Sequence, residues 1–176
     1  MMSRLHKPDL LGGLALLAGC AAPNPNLCPG AAILADTDHA TMLRTGAPAD
    51  PSGELYRVAL TNAATDCHLD KKRGETDSSL TLTFTAQRAP GADGATYSVP
   101  YFVAVTMGQR VVNKRLYTAR FTFAPGASTV VFTVAPDNTQ IHLGNGHLPW
   151  DYQLTAGLQL TPAQIAYNQK MGRYAP

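Results

Sequence analysis

Charge is scarce in this chain of 176 residues: Asp, Glu, Lys and Arg make up 15% of it, against roughly a quarter in an average soluble domain. The 14 basic and 12 acidic side chains nearly cancel, so no surplus of either sign calls for nucleic acid as a partner. Aromatic residues are only 7%, with a single Trp. A hydrophobic fraction of 45% nevertheless excludes a disordered, solvated chain. The strings GxxxxGK[ST], GxGxxG, HExxH and GxSxG are absent, which removes the sequence signals of a phosphate cradle, a dinucleotide fold, a zincin and a nucleophile elbow. No catalytic residue, metal ligand set or cofactor is read from the sequence, and an enzyme is not expected. What the chain does have is turn formers, 15 Gly and 13 Pro, which imply many short elements and few long helices.

Near the start, Arg4 and Lys7 precede an apolar run over residues 10–18. Such a run would cover about 14 Å as a helix, half of a bilayer core of about 30 Å, so it reads as an export signal and not as a membrane anchor. It ends in Leu17-Ala18-Gly19-Cys20. This string resembles the lipobox of bacterial lipoproteins, and the resemblance implies that Cys20 carries the lipid and becomes the first residue of the mature chain. The alternative is a plain signal cut near Ala21-Ala22. Three acyl chains, as the resemblance implies, would hold the domain permanently where one chain gives only marginal binding. Ala21 in place of Asp after the Cys implies sorting to the outer membrane, facing the periplasm, by analogy with enteric lipoproteins. Residues 1–19 are thus expected to be the signal and 20–27, with Pro23 and Pro25, an extended tether. Loss of Arg4, Lys7 and Asp9 leaves a net charge of +1.

The other two cysteines, Cys28 and Cys67, form an even pair in an exported chain, which reads as one disulfide tying the start of the fold to its middle. Two free thiols are the alternative. No Cys-x-x-Cys spacing supports redox or zinc chemistry.

Strand signals follow in series. Residues 30–35 suit an edge strand, and 36–53 loosen into a polar segment. Tyr56, Val58 and Leu60 alternate with Arg57, Ala59 and Thr61; Leu80, Leu82 and Phe84 alternate with threonines; Tyr117, Ala119, Phe121 and Phe123 alternate with Thr118, Arg120 and Thr122. Residues 129–134 are β-branched or aromatic, and residues 152–160 alternate again. Period two buries one face of each strand. Gly108-Gln109 suits a tight hairpin, and Pro125-Gly126 the next turn. About seven strands imply an all-β fold, an immunoglobulin-like antiparallel β-sandwich over 28–160. A small barrel is the other option. Thr161-Pro162-Ala163-Gln164 is a capping box that opens a short helix to about Lys170, with a tail to 176. Its Ile165 and Tyr167 are expected to cover one end of the sandwich.

The run Pro100 to Val105, together with Gln159 to Asn168, is similar to strings in a group of uncharacterised proteobacterial envelope lipoproteins. That resemblance covers about Cys28 to Asn168 and implies no activity.

Polar clusters have plain readings. Asp36-Thr37-Asp38-His39 has carboxylates at i and i+2 beside an imidazole but lacks the oxygens of a calcium loop, and is read as a solvated turn. Asp66, His68 and Asp70 invite a hydrolase reading, yet the mixed-sign run Lys71 to Asp77 and Ser78-Ser79 behind them suits an exposed hairpin loop. His142 and His147 flank Gly144-Asn145-Gly146 and are expected to be exposed. One anomaly remains. Tyr101, Val103 and Val105 make one apolar face of a strand, but Pro100, Phe102 and Ala104 make the other, where a solvated face should be polar. Either the C-terminal helix or the 36–53 segment covers this second face, or it is an exposed interaction patch. The function expected is that of a non-catalytic structural or protein-interaction module, attached to the membrane through Cys20 and possessing an envelope protein partner. The alternative is a binder of a small apolar or lipid ligand touching Tyr101 and Phe102.

Overall fold

The computed structural model describes residues 27–90, 93–144 and 146–173. The expected signal, lipobox and most of the tether lie outside them. The described chain is a two-sheet β-sandwich with one short C-terminal helix, as the alternation implies. It has nine strands where about seven are expected: β1 (Gly30–Ile33), β2 (His39–Leu43), β3 (Glu54–Asp70), β4 (Glu75–Gln87), β5 (Ala95–Met107), β6 (Arg110–Phe123), β7 (Thr129–Val134), β8 (Thr139–His142) and β9 (Tyr152–Leu158), followed by α1 (Pro162–Lys170). The first sheet runs β1-β9-β5-β6; the second runs β2-β3-β4, with β7 and β8 side by side in sequence along the far edge of β4. One pairing is not antiparallel: β1 lies parallel to β9, Gly30 against Gln153 and Ile33 against Ala156.

Each alternating set points inward. Val58 and Leu60, Leu82 and Phe84, Phe121 and Phe123, and Leu154, Ala156 and Leu158 form one core between the sheets. Each fully buried Leu or Phe contributes about 1.5–3 kcal/mol. Rings meet across the gap: Phe121 stacks on Phe132 at 4.8 Å, and Phe84 meets Tyr101 edge-on at 5.8 Å.

The connections correct several expectations. The β5–β6 hairpin turns at Gly108, with φ 57°, but its arms are far longer than the residues flanking the turn suggest. The Pro125-Gly126 turn, with Gly126 at φ 76°, carries the chain from one sheet to the other instead of joining neighbours in one sheet. The polar 36–53 segment contains β2, whose His-Ala-Thr-Met-Leu sequence has no alternation. The run 71–79 is only partly a loop: residues 71–74 turn, while Thr76 and Ser78 of β4 are 0% and 1% exposed. The helix has the expected bounds and cap, Thr161 Oγ1 accepting from Gln164 N and Gln164 Oε1 accepting from Thr161 N. It packs against β2 and bonds Glu54 at the start of β3; Tyr167 is buried there while Ile165 is exposed.

Candidate functional site

Cys28 and Cys67 are joined, with Cα atoms 5.5 Å apart. Their bond crosses the sandwich, because Cys28 leads into β1 of one sheet and Cys67 lies on β3 of the other. Beside it Thr65 Oγ1 donates to Pro29 O at 2.8 Å, and Pro29 is buried. The strand pairings fix what else lies at this end of the fold. Gly30 is opposite Gln153, Tyr152 is opposite Met107 beside the Gly108 hairpin, and Cys67 is opposite Ser78, close to the 71–74 turn. Glu75 is opposite His142, and Leu143 N donates to Gly74 O at 2.7 Å. The entry of the chain into the domain, the tips of two hairpins and the 143–151 segment therefore share one end.

Between the sheets at that end is an open cleft of about 470 Å³. Val105, Met107 and Ile141 supply apolar walls, and Arg110, His142 and His147 line it as well. His142 Nδ1 is 2.9 Å from Glu75 Oε1, and His147 Nδ1 is 3.4 Å from Asp151 Oδ2. Both histidines are exposed, as expected. Among the described residues neither is hydrogen-bonded to a Ser, Thr or Cys side chain, as acyl transfer would need. The cleft can admit a ligand with an apolar body and a polar or anionic head. Sequence reasoning did not find it, since its walls come from β5, β6, β8 and the segment before β9.

The face carrying Pro100, Phe102 and Ala104 is largely closed by the chain itself. Phe102 and Ala104 are each 5% exposed, and only Pro100 is open. Phe102 lies opposite Gly157 on β9, where a side chain would collide with its ring and with Thr37 Oγ1. Lys114 Nζ sits 4.2 Å from the centroid of the same ring and donates to Gln159 Oε1 at 3.3 Å. The cover thus comes from Thr37, within the 36–53 segment, and from a neighbouring lysine on β6. Leu34 and Leu116 remain exposed at the flanks of this row. Tyr101 faces the core, where burial pushes its phenol up to about 12.

The other candidate clusters are taken up by local structure. Asp36 holds the turn between the sheets at φ 63°, and Thr37 Oγ1 donates to Leu34 O at 2.8 Å. Asp38 Oδ2 lies 2.8 Å from His39 Nδ1. Asp66 Oδ1 accepts from Cys67 N, and Asp70 Oδ1 accepts from Lys72 N and Arg73 N, closing the β3–β4 turn. Among the described residues no three His, Cys, Asp or Glu side chains converge as a metal site would require.

A polar network that sequence reasoning missed docks the helix. Glu54 Oε1 accepts from Tyr167 Oη at 2.7 Å and from Arg173 Nη1. Arg57 Nε is 3.6 Å from Glu54 Oε2. Buried Asn168 donates through Nδ2 to His39 O at 2.7 Å and accepts from Thr41 Oγ1 at 3.3 Å. Burial first, and then the bond to Glu54, raise the Tyr167 phenol above its ordinary range. Tyr167 and Asn168, two residues of the resemblance string, thus serve the fold by fastening α1 to β2 and β3. No family model, curated protein or solved structure matches the chain.

Proposed function

We propose that this chain is a lipid-anchored protein of the cell envelope that acts as a non-catalytic structural or protein-interaction module, held through Cys20 at the periplasmic face of the outer membrane. The observation that carries the reading is the string Leu17-Ala18-Gly19-Cys20 placed just before a sandwich whose first residues are stapled by a disulfide. Disulfides of this kind belong to oxidising compartments. Only seven residues separate Cys20 from Cys28, a tether too short to let the domain roam. Labelled palmitate should enter the wild-type protein and fail to enter Cys20→Ser. A wild-type chain recovered unlabelled from the soluble fraction would overturn the anchor. The interaction role is tested by crosslinking in intact cells, where recovery of monomer alone would count against it.

A second reading, binding of a small apolar or lipid ligand, is supported by the cleft between Val105, Met107 and Ile141. Its size is in the range of small-molecule sites. Native mass spectrometry of protein isolated from membranes should then find a bound mass that is lost on filling the cleft, for example in Ile141→Trp.

A further inference from the structure

The end of the sandwich that receives the tether carries a particular set of exposed side chains. Lys71 and Lys72 are at the tip of the β3–β4 turn and Arg110 is at the foot of the β5–β6 hairpin; none of the three has an ion-pair partner among the described residues. The nearest acids in sequence and pairing are Asp70, Glu75 and Asp151. Asp70 accepts the turn's own amides and lies 3.6 Å from Arg73 Nε, Glu75 faces His142, and Asp151 accepts from Leu148 N and faces His147. Lys71, Lys72 and Arg110 thus stand at the two hairpin tips with no carboxylate in ion-pair reach among the described residues. At the same end large apolar groups are in the open: Trp150 is 49% exposed, Leu148 43% and Leu27 47%. Trp150 and Leu148 lie on and beside a single 3-10 turn, Pro149–Asp151, immediately before β9, and Leu27 immediately precedes the disulfide.

Exposed cations, an indole and leucines at one end of the fold suit the headgroup layer of an anionic bilayer. There the ammonium and guanidinium groups meet phosphates, while an indole sits at the boundary of polar and acyl regions. The chain outside the described residues selects this partner over others. An extended residue spans at most about 3.5 Å, so the seven between Cys20 and Cys28 reach about 25 Å. A lipid on Cys20 would keep this end of the sandwich, and not its opposite end, within that distance of the membrane. We infer that the tethered end, through Lys71, Lys72, Arg110, Leu27, Leu148 and Trp150, rests directly on an anionic lipid surface and orients the sandwich upright above it. This rests on the proposal that Cys20 is acylated.

Trp150 is the single Trp of the chain, so its fluorescence reports this surface alone. The protein expressed from the full chain and isolated from membranes is reconstituted into vesicles of phosphatidylglycerol with phosphatidylethanolamine, or of phosphatidylcholine alone, some carrying bromine on their acyl chains. In the anionic vesicles the emission should shift to the blue and lose intensity to bromine. Both effects should weaken in phosphatidylcholine, at high salt, and in Lys71→Glu/Lys72→Glu, whose positions are exposed and outside the core. Flotation with the vesicles is scored in the same samples. Protein that fails to float overturns the acyl anchor and the inference with it. Protein that floats while Trp150 stays water-exposed and unquenched overturns the inference and leaves the anchor standing. Shielding of Trp150 in native membranes but not in these vesicles also overturns it, and assigns this end to a protein partner.

Discussion

Tyr167 Oη donates a hydrogen bond to Glu54 Oε1 over 2.7 Å, joining the last helix of the fold to the first residue of its longest strand. Arg173 bonds the same oxygen and Arg57 lies near the other, so Glu54 keeps both cationic neighbours when the phenol is removed. Tyr167→Phe should therefore cost about 2 kcal/mol, the scale of a hydrogen bond to a charged group. Urea unfolding followed by circular dichroism measures it. A change within error would mean that the Arg173 and Asn168 contacts suffice to hold the helix.

Alkaline pH should attack the same contact from another side. Burial raises the phenol of Tyr167 and pushes that of Tyr101 up to about 12, against about 10 in an unfolded chain. The folded state then keeps protons that the unfolded state has released. The stabilisation is complete below about pH 10 and is lost as pH climbs from there towards about 12. Unfolding midpoints should be flat on approaching pH ~10 and fall beyond it, with part of the phenolate absorbance appearing only as the fold opens. Free titration of all seven tyrosines near pH ~10 in folded protein would contradict this.

Breaking the inter-sheet bridge should be the most damaging change. Cys28 and Cys67 are 39 positions apart, and closing a loop of that size is worth about 4 kcal/mol in the chain-entropy description. The double variant Cys28→Ala/Cys67→Ala, or wild type under reductant, should lose stability on that scale in the same urea experiment.

Gly157 offers a steric test of the closed face. A Cβ at this position would come within 2.1 Å of Thr37 Oγ1 and 2.7 Å of Phe102 Cζ. Gly157→Ala should cost about 1–3 kcal/mol, as overpacking does. Phe102→Leu should recover part of that loss, and a double-mutant cycle without coupling would show that the two residues do not compete for space.

Ser78 should behave in the opposite sense. Its hydroxyl is buried and meets no partner among the described residues, so it bears a desolvation cost without a bond in return. Ser78→Ala should raise stability by about 1 kcal/mol. A fall would reveal a partner for the hydroxyl.

What was legible in the sequence was whatever had a short period or a local rule. The inward faces of β3, β4, β6 and β9 could be read from alternation, the helix from its capping box, and the disulfide from counting cysteines. β2 and β8 were not legible, because four or five residues completing a sheet made elsewhere need no pattern of their own. Thr76 and Ser78 were misread for a related reason: polar residues next to a charged turn look solvated until the opposite sheet is placed over them. The double-faced apolar strand was visible as an anomaly, but part of its cover comes from Thr37, a turn residue distant in sequence, and part from Lys114 across the β5–β6 hairpin. The network around Glu54 was hidden for the same reason, since each member looks like an ordinary surface residue until Tyr167 and Asn168 arrive from the far end of the chain.

The parallel pairing of β1 with β9 sets the order in which the domain can be completed. Residues 30–33 find their ladder partners in residues 153–156, so the first strand made waits for the last. Until the C-terminus is delivered, the disulfide can hold β1 near β3 but the four-stranded sheet has no edge on which β1 can rest. Pairings this distant in sequence are slow to form. The first sheet is thus timed by the ninth strand: β1 can take its place only once residues 153–156 have arrived.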